Sequence, residues 1–344
     1  MKRIGFQRCF TRILPFMLIC MVITAAPVRA ENISSIVAAD LNNDGRDDLV
    51  AVSKSGYVMY TTDLETWQQI GTSMFSHVVC GDFNADNRTD LAGITTGQYI
   101  MYCLQADAGT FGTWTQSGDN KFTSLISIDL SGTGAAKNIV GINSNNYALY
   151  AEDIAGDAGW KKSGSNRFLS LTAADLDAGG SKNDLVVINM NRYAVYTTDI
   201  DGAWTKSGSN RFLQIESIHL ADSGQTAEQS LAGINLNQYV VFTDDVTGNW
   251  TKTGSNKFER VAACDFDGNG AQDDLAGINL NQYVLYTENL TGTWSRIGNE
   301  RFTSLVCGDF DGDGARDDLA GVNINEHVMY TVHTTGFGTW TKVE

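Results

Sequence analysis

The chain has 344 residues, of which 42% are hydrophobic and 19% are charged. Its 40 acidic and 24 basic residues give a formal net charge of −16, which argues against a nucleic-acid partner because the protein and the phosphate backbone repel each other. Both prolines, Pro15 and Pro27, lie near the start of the chain. Every later residue therefore has a backbone N–H that can donate a hydrogen bond to a neighbouring strand.

Residues 1–30 have the pattern of a secretory signal peptide. Basic residues precede an apolar stretch from Ile13 to Ala26, and Val28 and Ala30 occupy the −3 and −1 positions of a small-residue cleavage site. A membrane anchor is the alternative, but the uncharged run is shorter than the about 20 residues that a span requires. Cleavage removes five basic residues and no acidic one, so the net charge becomes −21. We therefore expect a protein that is secreted, extracellular, periplasmic or on the cell surface, with no membrane insertion after signal removal.

Tryptophan marks an internal repeat. The seven tryptophans stand at positions 67, 114, 160, 204, 250, 294 and 340, separated by 44 to 47 residues. In the sixth copy, a β-prone run from Phe258 to Phe266 precedes an acidic loop, and three further short strands follow over 275–278, 283–287 and 294–297. A repeat of this length and composition is typical of a propeller blade. The sequence therefore predicts an all-β fold, a seven-bladed β-propeller of four-stranded antiparallel blades.

The repeats give approximate blade boundaries within the predicted propeller at 31–344. The blades are expected at 31–74, 75–121, 122–167, 168–211, 212–257, 258–301 and 302–344. This phase begins just before a first strand and ends inside a fourth strand, so each blade is expected to be contiguous in sequence. Ring closure would then depend on packing between blades 1 and 7, although a shift of one strand at either terminus would restore a shared blade.

Four cysteines follow the predicted signal peptide. Cys80 and Cys307 occupy equivalent positions in blades 2 and 7, whereas Cys103 and Cys264 lie elsewhere in their repeats. A repeating disulfide scaffold would place one pair in every unit. We expect buried thiols, with one bridge possible in an oxidising compartment.

Acidic loops follow the first strand of several blades. In blades 1 and 7, oxygen-bearing side chains stand at positions 1, 3, 5 and 9 of the loop, with glycine at position 6. A hard cation such as Ca²⁺ prefers six to eight oxygen ligands, which alternate residues of a tight loop supply, and position 7 adds a main-chain carbonyl. Turn formation alone explains one or two Asp, Asn or Gly residues, but not four at alternate positions. The predicted ligands are Asp40, Asn42, Asp44, Arg46 and Asp48 in blade 1, and Asp309, Asp311, Asp313, Ala315 and Asp317 in blade 7.

Blades 2 and 6 carry nearly intact copies of the same loop. Their predicted ligands are Asp82, Asn84, Asp86, Arg88 and Asp90 in blade 2, and Asp265, Asp267, Asn269, Ala271 and Asp273 in blade 6. Asn87 replaces the glycine in blade 2, and asparagine tolerates positive φ. The loops of blades 6 and 7 are one residue longer, so Asp274 and Asp318 are the alternative closing ligands. We therefore expect about four Ca²⁺ sites, in blades 1, 2, 6 and 7.

The other three loops are degenerate. Blade 4 keeps Asp175, Asp177 and Asp184 around Gly179 and Gly180, which makes a weak site at best. Blades 3 and 5 have lost most of their carboxylates, with Asp129, Ser131, Thr133 and Asn138 in blade 3 and His219 and Ala221 in blade 5.

The loop of blade 7 carries a family resemblance. The run Asp309-Phe-Asp-Gly-Asp-Gly314, followed by Asp318-Leu-Ala-Gly-Val322, resembles the FG-GAP (VCBS) repeats of integrin α-subunit propellers. The repeats are also similar to the seven-bladed fungal lectins that bind N-acetylglucosamine. This resemblance covers 31–344 and implies the propeller fold and calcium in the four loops. The sequence departs from the family at the blade start, where Arg301-Phe302 replaces Phe-Gly, and after the loop, at Gly277-Ile278-Asn279.

A second repeated pattern lies in the turns that should face away from the metal loops. The turn between the second and third strands reads Asn-x-Asn-x-Tyr in blades 3 to 6, and Asn-x-Asn-x-His in blade 7. The links between blades read Ser-Asn-Arg or Ser-Asn-Lys, with close variants. Amides, a cation and an aromatic edge suit a sugar-binding groove, but they also suit tight turns. The candidate ligand-binding residues are Asn145, Arg167, Asn191, Arg211, Asn237, Lys257, Asn281, Arg301 and Asn325.

These patterns favour a binding module over an enzyme. The four histidines are scattered, and no Gly-x-Ser-x-Gly motif occurs, so no catalytic residue is predicted. Each tryptophan follows a turn at the start of a fourth strand, where inter-blade packing and a stacking platform for sugar are both possible roles. The sequence predicts a secreted, multivalent carbohydrate-binding (lectin-like) propeller. A protein-interaction or adhesion propeller is the alternative, and a polysaccharide-active enzyme is the third possibility.

Overall fold

The computed structural model describes residues 33–132, 137–155, 159–176, 182–220, 230–290, 292–334 and 336–344. The predicted signal peptide lies outside this part of the chain, as do Thr133, Asp177, Gly179, Gly180 and Ala221 of the degenerate loops. The described residues form antiparallel β-sheet and no helix, so none of them belongs to a helix long and apolar enough to cross a membrane. The predicted all-β propeller fold is confirmed.

The first strands of the seven repeats line the centre of the molecule. They are β1 (Ile33–Ala39), β5 (Phe75–Gly81), and the second halves of β10 (Thr115–Ile128), β13 (Lys161–Ala174), β16 (Thr205–Ile218), β19 (Thr251–Cys264) and β22 (Ser295–Gly308). Each pairs with a second strand. The second strands are β2 (Asp48–Ser53), β6 (Asp90–Thr95), β11 (Asn138–Asn143), β14 (Asp184–Asn189), β17 (Ser230–Asn235), β20 (Asp274–Asn279) and β23 (Asp318–Asn323).

The third and fourth strands complete each sheet on its outer side. The third strands are β3 (Val58–Thr61), β7 (Tyr99–Cys103), β12 (Tyr147–Ala151), β15 (Tyr193–Thr197), β18 (Tyr239–Thr243), β21 (Tyr283–Thr287) and β24 (Val328–Thr331). The fourth strands are β4 (Gln68–Gln69), β25 (Thr341–Lys342) and the first halves of the five 14-residue strands, and β8 (Gln105–Asp107) with β9 (Thr110–Phe111) adds a small hairpin. All pairings between these neighbours are antiparallel, which is consistent with seven blades of four strands.

The long strands are a feature that the sequence did not predict. In each, the fourth strand of one blade runs into the first strand of the next, as when Tyr147 pairs with Arg167 and Phe168 then pairs with Asn189. The strand continues through the link, where a glycine such as Gly164, at a left-handed φ of 63°, coincides with an irregularity in the strand register. The change from one blade to the next therefore falls within a continuous strand.

The hydrophobic core is a ring of separate clusters. Among the described residues, seven clusters of buried side chains lie one between each pair of neighbouring blades. The second strands have neighbours on both faces and are buried almost throughout, as in Leu275, Ala276 and Ile278. Burial on both faces explains why these strands are continuous apolar runs instead of alternating ones.

The tryptophans join neighbouring blades. The Trp114 ring lies 4.3 Å from the Phe75 ring of its own blade, and its Nε1 donates to the Ile70 carbonyl of the preceding blade at 3.0 Å. Equivalent Phe–Trp pairs recur in blades 3 to 7 at centroid distances of 4.2 to 4.5 Å. Of the two roles considered for the tryptophans, the structure supports inter-blade packing.

We expect Gly254→Ala to destabilise the junction between blades 5 and 6, where Gly254 contacts Trp294. Gly254 has a φ of +69°, and an added Cβ would lie 2.7 Å from the Gly292 carbonyl oxygen and 3.0 Å from Trp294 Cδ1. Left-handed backbone alone costs about 1–2 kcal/mol in a residue with a Cβ, so urea unfolding should show a loss of about 2 kcal/mol or more. Gly97→Ala, whose Cβ would meet no atom closer than 3.4 Å, is the control. Equal losses in both variants would contradict this account of the junction.

Blades 1 and 7 close the ring without sharing a sheet. All four strands of blade 1 lie within 33–69, and β25 pairs with β24. The junction contains a hydrophobic cluster that includes Ile33, Trp67 and Phe310. The Asp47 amide also donates to the Asp309 carbonyl at 2.6 Å, and the Asp47 carboxylate pairs with Arg316 at 2.8 Å. Closure of the ring therefore depends on hydrophobic packing and on these polar contacts between Asp47, Asp309 and Arg316.

A disulfide joins blades 6 and 7. Cys264 at the end of β19 is bonded to Cys307 in β22, with Cα atoms 5.7 Å apart, whereas Cys80 and Cys103 are free thiols. One bridge in four cysteines agrees with the expectation from the sequence. Its persistence requires an oxidising environment.

Candidate functional site

The loops and turns divide between two faces. The Asp274 Oδ1 atom, in the acidic loop of blade 6, accepts a hydrogen bond from the Asn289 amide between the third and fourth strands, at 2.6 Å. At the other end of the strands, the Phe168 amide of an inter-blade link donates to the Asn146 carbonyl at 2.8 Å. We call the face with loops 40–48, 82–90, 265–274 and 309–318 the acidic face. The opposite face, with the Asn-x-Asn turns and the inter-blade links, is the amide face.

The acidic loop of blade 1 turns its alternate side chains inward. Asp40 accepts the Asp44 and Gly45 amides at 3.3 and 3.0 Å, and the Asn42 Oδ1 atom accepts the Asp44 amide at 2.9 Å. The Asp44 Oδ1 atom in turn accepts the Arg46 amide at 2.9 Å. These bonds hold the oxygens of positions 1, 3 and 5 on the inside of the loop. The arrangement is the one that a hard cation needs.

The other three intact loops repeat this arrangement. In blade 2, Asp82 accepts the Asp86 and Asn87 amides at 3.0 and 2.9 Å, and Asn87 has the positive φ, 62°, that its position predicts. In blades 6 and 7, Asp265 and Asp309 accept the amides of Gly270 and Gly314, both at 2.9 Å. Four loops with one hydrogen-bond pattern indicate four copies of one kind of site.

Carboxylates converge most closely in blades 6 and 7. Among the described residues, two acidic groups have one oxygen per side chain within 4.8 Å of the others. They are Asp265, Asp267 and Asp274 in blade 6, and Asp309, Asp311 and Asp313 in blade 7. In blades 1 and 2 an asparagine takes the third position. The described side-chain ligand atoms are all oxygen atoms of Asp or Asn, and oxygen ligands suit calcium better than a softer metal.

The structure distinguishes the two candidate closing residues of blade 6. Asp274, rather than Asp273, belongs to the converging group. Its Oδ2 atom accepts the Phe266 amide, as Asp48 accepts the Leu41 amide at 2.8 Å. The additional loop residue moves Asp273 one place ahead of this register, where its side chain is buried.

The same shift occurs in blade 7. The Asp318 Oδ2 atom accepts the Phe310 amide at 2.7 Å, which gives Asp318, and not Asp317, the register of Asp48. Asp317 is nevertheless buried, with Oδ2 at 3.3 Å from His333 Nδ1, and no group in the described part of the chain donates a hydrogen bond to its Oδ1 atom. A buried carboxylate oxygen without a donor fits a cation at this loop. Of the alternatives, the geometry therefore favours Asp274 and Asp318 as the closing residues, and occupancy of the loops by an ion stays a prediction.

The closing carboxylates are strongly perturbed. Burial raises the pKa of Asp48 and Asp318 to about 7 and that of Asp90 and Asp274 to about 6, and neighbouring loop carboxylates contribute to the rise. Backbone amides that donate to each carboxylate act in the opposite direction. A cation among these side chains would favour their ionised form.

Two of the degenerate loops keep the closing bond. The Asn138 Oδ1 atom in blade 3 accepts the Leu130 amide at 2.8 Å, and Asp184 in blade 4 accepts the Leu176 amide. The remaining predicted positions of these loops lie partly outside the described residues, so the structure adds nothing on their weak sites.

On the amide face, the two asparagines of each turn have different surroundings. The Asn143 Oδ1 atom accepts the amides of Asn145 and Tyr147, both at 3.0 Å. The first asparagine makes the same pair of bonds in blades 4 to 7, so it shapes the turn. The second asparagine is exposed in every case: Asn145, Asn191, Asn237, Asn281 and Asn325. The turn interpretation therefore applies to the first asparagine, and the second is available to a ligand.

The cations of the amide face lie over tyrosine rings. In blade 3, Lys162 Nζ is 3.4 Å and Arg167 Cζ is 5.3 Å from the Tyr147 ring centroid. Equivalent pairs in blades 4, 5 and 6 are Lys206 and Arg211 over Tyr193, Lys252 and Lys257 over Tyr239, and Arg296 and Arg301 over Tyr283. A tyrosine covered by cations is not an open stacking surface. The expected aromatic platform for sugar is therefore absent from these four positions.

Each of these four tyrosine–cation clusters is electropositive. The hydrogen bond from the arginine lowers the pKa of the phenol in Tyr147, Tyr193 and Tyr283, and the charges of the arginine and of the neighbouring lysine or arginine act in the same direction. The sequence identified Arg167, Arg211, Lys257 and Arg301 as candidates, but not the cation two residues into each fourth strand. Repetition of a basic residue at that position was the available signal.

Exposed aliphatic side chains complete the amide face. The residue between the two asparagines of the turn is Met190, Leu236, Leu280 or Ile324 in blades 4 to 7, each 39 to 47% exposed. Sequence reasoning missed this feature because the position varies in identity and only its apolar character repeats. It gives the face a hydrophobic component beside its amides and cations.

A central channel runs between the first strands. Its cavity of about 830 Å³ is lined by residues that include Lys182, Gln214, Glu216, Arg260 and Arg316. Gln214 Nε2 donates to Glu216 Oε1 at 2.6 Å. Burial raises the pKa of Glu216 to about 7, while the Gln214 hydrogen bond and the Lys182 charge lower it.

We expect Glu216→Gln to change the pH dependence of stability. A carboxyl group whose pKa is raised in the folded state destabilises the fold as pH rises from its unfolded value of about 4.5 to its folded value of about 7. The amide removes this loss, so the variant should be more stable than the wild type at pH 8, by up to about 3 kcal/mol, and similar to it at pH 4. Melting curves across this range test the effect. A difference that does not change with pH would contradict it.

Comparison with known proteins supports the fold and leaves the ligand open. No protein-family model matches the chain, and neither does any curated protein. A structure of BBS1N in complex with ARL6DN, soaked with lead, matches at a TM-score of 0.63 and 13% identity, covering 90% of this chain and 95% of that chain. YCF48 bound to D1 peptide matches at 0.59 and 12%, covering 88% and 93%.

The β-propeller domain of Cps50 (Swd1) from Myceliophteria thermophila matches at 0.59 and 10% identity, covering 90% of this chain and 100% of that domain. These solved structures are β-propellers, and two of them were determined with a bound protein or peptide. At such low identity the likeness extends to the fold and no further. The chain is a β-propeller.

Proposed function

We propose that this protein is a secreted, calcium-stabilised propeller whose amide face binds glycans at repeated sites. One observation carries the proposal: an exposed asparagine and a cation recur at the same place on one face in blades 3 to 6. Amides and cations supply the directed hydrogen bonds that fix sugar hydroxyls. Several weak sites on one rigid disc gain avidity without any single site being tight.

Calcium has a structural role in this proposal. The acidic loops lie at the opposite ends of the same strands, so ions there would hold the blades in place without touching the sugar. Their positive charge would also offset part of the negative charge of the chain, and ions bound only to the folded state stabilise it. Secretion is supported by the composition of residues 1–30 and by the Cys264–Cys307 disulfide.

A protein-interaction propeller is the second candidate. The exposed Met190, Leu236, Leu280 and Ile324 favour it, because aliphatic patches are typical of protein interfaces. Two of the similar solved structures contain a protein or peptide partner. A protein partner predicts one interface of about 800 Å² per side, whereas repeated sugar sites predict several equivalent binding events per chain.

A glycan array tests the proposal, using protein expressed from the full chain and loaded with calcium. We expect binding to a defined class of sugar, competition by the free sugar, and a large loss in a variant with Asn145, Asn191, Asn237 and Asn281 changed to Ala. Gln68→Ala with Gln69→Ala is the control, since these exposed amides lie on the outer strand of blade 1. A folded, calcium-loaded protein that binds no glycan would overturn the proposal and direct the search to protein partners.

A further inference from the structure

We infer that the glycan bound by the amide face is anionic, a polysaccharide that carries sulfate or carboxylate groups. The inference rests on the proposed function and specifies its ligand. It starts from the four tyrosine–cation clusters. Their eight cationic side chains are Lys162, Arg167, Lys206, Arg211, Lys252, Lys257, Arg296 and Arg301.

These cations are exposed, and the tyrosines beside them do not neutralise their charge. All eight side chains lie at the surface. A tyrosine ring positions a cation by attraction to its π face and does not neutralise it, as a carboxylate would. Among the described residues, the ion pairs of this region involve other lysines, such as Lys161 with Glu152 and Lys54 with Glu326. The clusters therefore present charge that is fixed in position and available to an anion.

Three of the inter-blade links that supply these cations contain no acidic residue. The inter-blade links that end at Arg167, Arg211 and Lys257 contain only Ser and Asn before the cation. Acidic residues near the clusters are Asp119 in the second link, Glu259 two positions after Lys257, and Glu300 beside Arg301. In a chain with a net charge of −16, such a concentration of positive charge on one face is a strong local exception.

The repetition of the clusters around the amide face suits a polymeric ligand. Successive blades place a cation pair and an exposed asparagine at equivalent positions, so a chain with regularly spaced anionic groups meets the same contacts several times. Asparagine would bind hydroxyls between the charged groups. With the tyrosine faces covered and the tryptophans packed between blades, charge and hydrogen bonds replace aromatic stacking as the basis of recognition. A neutral sugar makes no use of the cations.

An anionic membrane is the main competing class of partner. Met190 and Leu236 would have to enter the lipid, yet each is less than half exposed. A polysaccharide needs only the surface groups that are already exposed. We therefore assign the clusters to a glycan and treat membrane binding as an outcome of the test.

Dextran sulfate and dextran form a matched pair of probes, because they share one backbone and differ in charge. Biolayer interferometry with calcium-loaded, full-chain protein should show binding to dextran sulfate and at least about tenfold weaker binding to dextran. Binding should weaken steeply between 50 and 300 mM NaCl, since exposed charges are screened over about 10 Å at 0.1 M salt. Polygalacturonate and its methyl ester form a second pair, which separates carboxylate from sulfate recognition.

The cluster variant changes Lys162, Lys206 and Lys252 to Gln, which removes one exposed cation from each of three clusters. We expect about tenfold weaker binding to dextran sulfate. The control variant changes Lys137 and Lys161 to Gln, two lysines outside the four clusters and away from the turns of the amide face, and is compared with the matched double variant Lys162→Gln with Lys206→Gln. Binding by the control should stay within about twofold of the wild type, and the melting temperatures of all three variants report whether they fold.

The outcomes separate this inference from the proposed function. Equal binding to dextran sulfate and dextran, or equal losses in the two double variants, would overturn the anionic ligand while leaving glycan binding intact. Binding to no glycan, charged or neutral, would overturn both proposals. Binding to phosphatidylserine vesicles with none to dextran sulfate would assign the amide face to membranes instead.

Discussion

We expect removal of calcium to lower the melting temperature of this protein by about 16 °C. An ion that binds only the folded state stabilises it by about 2.7 kcal/mol when its free concentration is 100 times its Kd. About four such ions contribute about 11 kcal/mol, and a chain of this size loses about 1.5 °C per kcal/mol. Differential scanning calorimetry in 1 mM CaCl₂ and in EDTA measures the shift.

Matched variants show whether the acidic loops cause this shift. Asp309 lies in the converging group of blade 7, so Asp309→Asn should remove about a quarter of the calcium-dependent increase in melting temperature. Asp107 is also an aspartate of the acidic side of the molecule, but its side chain is 85% exposed. Asp107→Asn should therefore leave the increase unchanged. A melting temperature that is the same in calcium and in EDTA would show that the loops are only turns.

Loss of the Cys264–Cys307 disulfide has the second largest expected effect. The bridge links residues 43 apart, and a cross-link over a loop of that length is expected to stabilise a fold by about 4 kcal/mol in the chain-entropy model. It also joins first strands of neighbouring blades close to the junction that closes the ring. The double variant with both cysteines changed to Ser should lose about 3–4 kcal/mol in urea unfolding.

Cys80→Ser is the control for this prediction. Cys80 occupies in blade 2 the position that Cys307 has in blade 7, but it is a free thiol. Its replacement should cost less than about 1 kcal/mol, because the residue is only half-buried and has no disulfide to lose. If the double variant is as stable as the wild type, or if reductant leaves the unfolding midpoint of the wild type unchanged, the bridge does not support the fold.

Period and turn chemistry made the propeller predictable, because each repeat carries its own strands and no contact across the molecule is needed to find them. Trp114 illustrates this, since its recurrence defined the period and its packing between blades gives the physical reason. The long strands were missed because extended links such as that at Gly164 look like turns in sequence. Only the hydrogen-bond register shows that the chain continues through them.

The sequence predicted the acidic loops in more detail than the contacts of the amide face. Alternating oxygens in one local loop are visible in sequence, whereas the choice of Asp274 over Asp273 depends on how the loop meets its strand. The contact of Lys162 with Tyr147 joins residues on two neighbouring strands, and only the pairing of those strands brings them together. The sequence suggested an aromatic edge open to sugar. The structure instead covers that ring with cations, because the neighbouring strand presents lysine to it.

The most direct test of the central claim, that the four acidic loops are calcium sites, is a count of bound ions. Equilibrium dialysis of the folded protein against ⁴⁵Ca²⁺ measures this number without reference to stability or to any ligand. We predict about four calcium ions per chain, and about three in the Asp309→Asn variant. A protein that binds no calcium at millimolar free concentration, or whose bound calcium is unchanged by Asp309→Asn, would contradict the account.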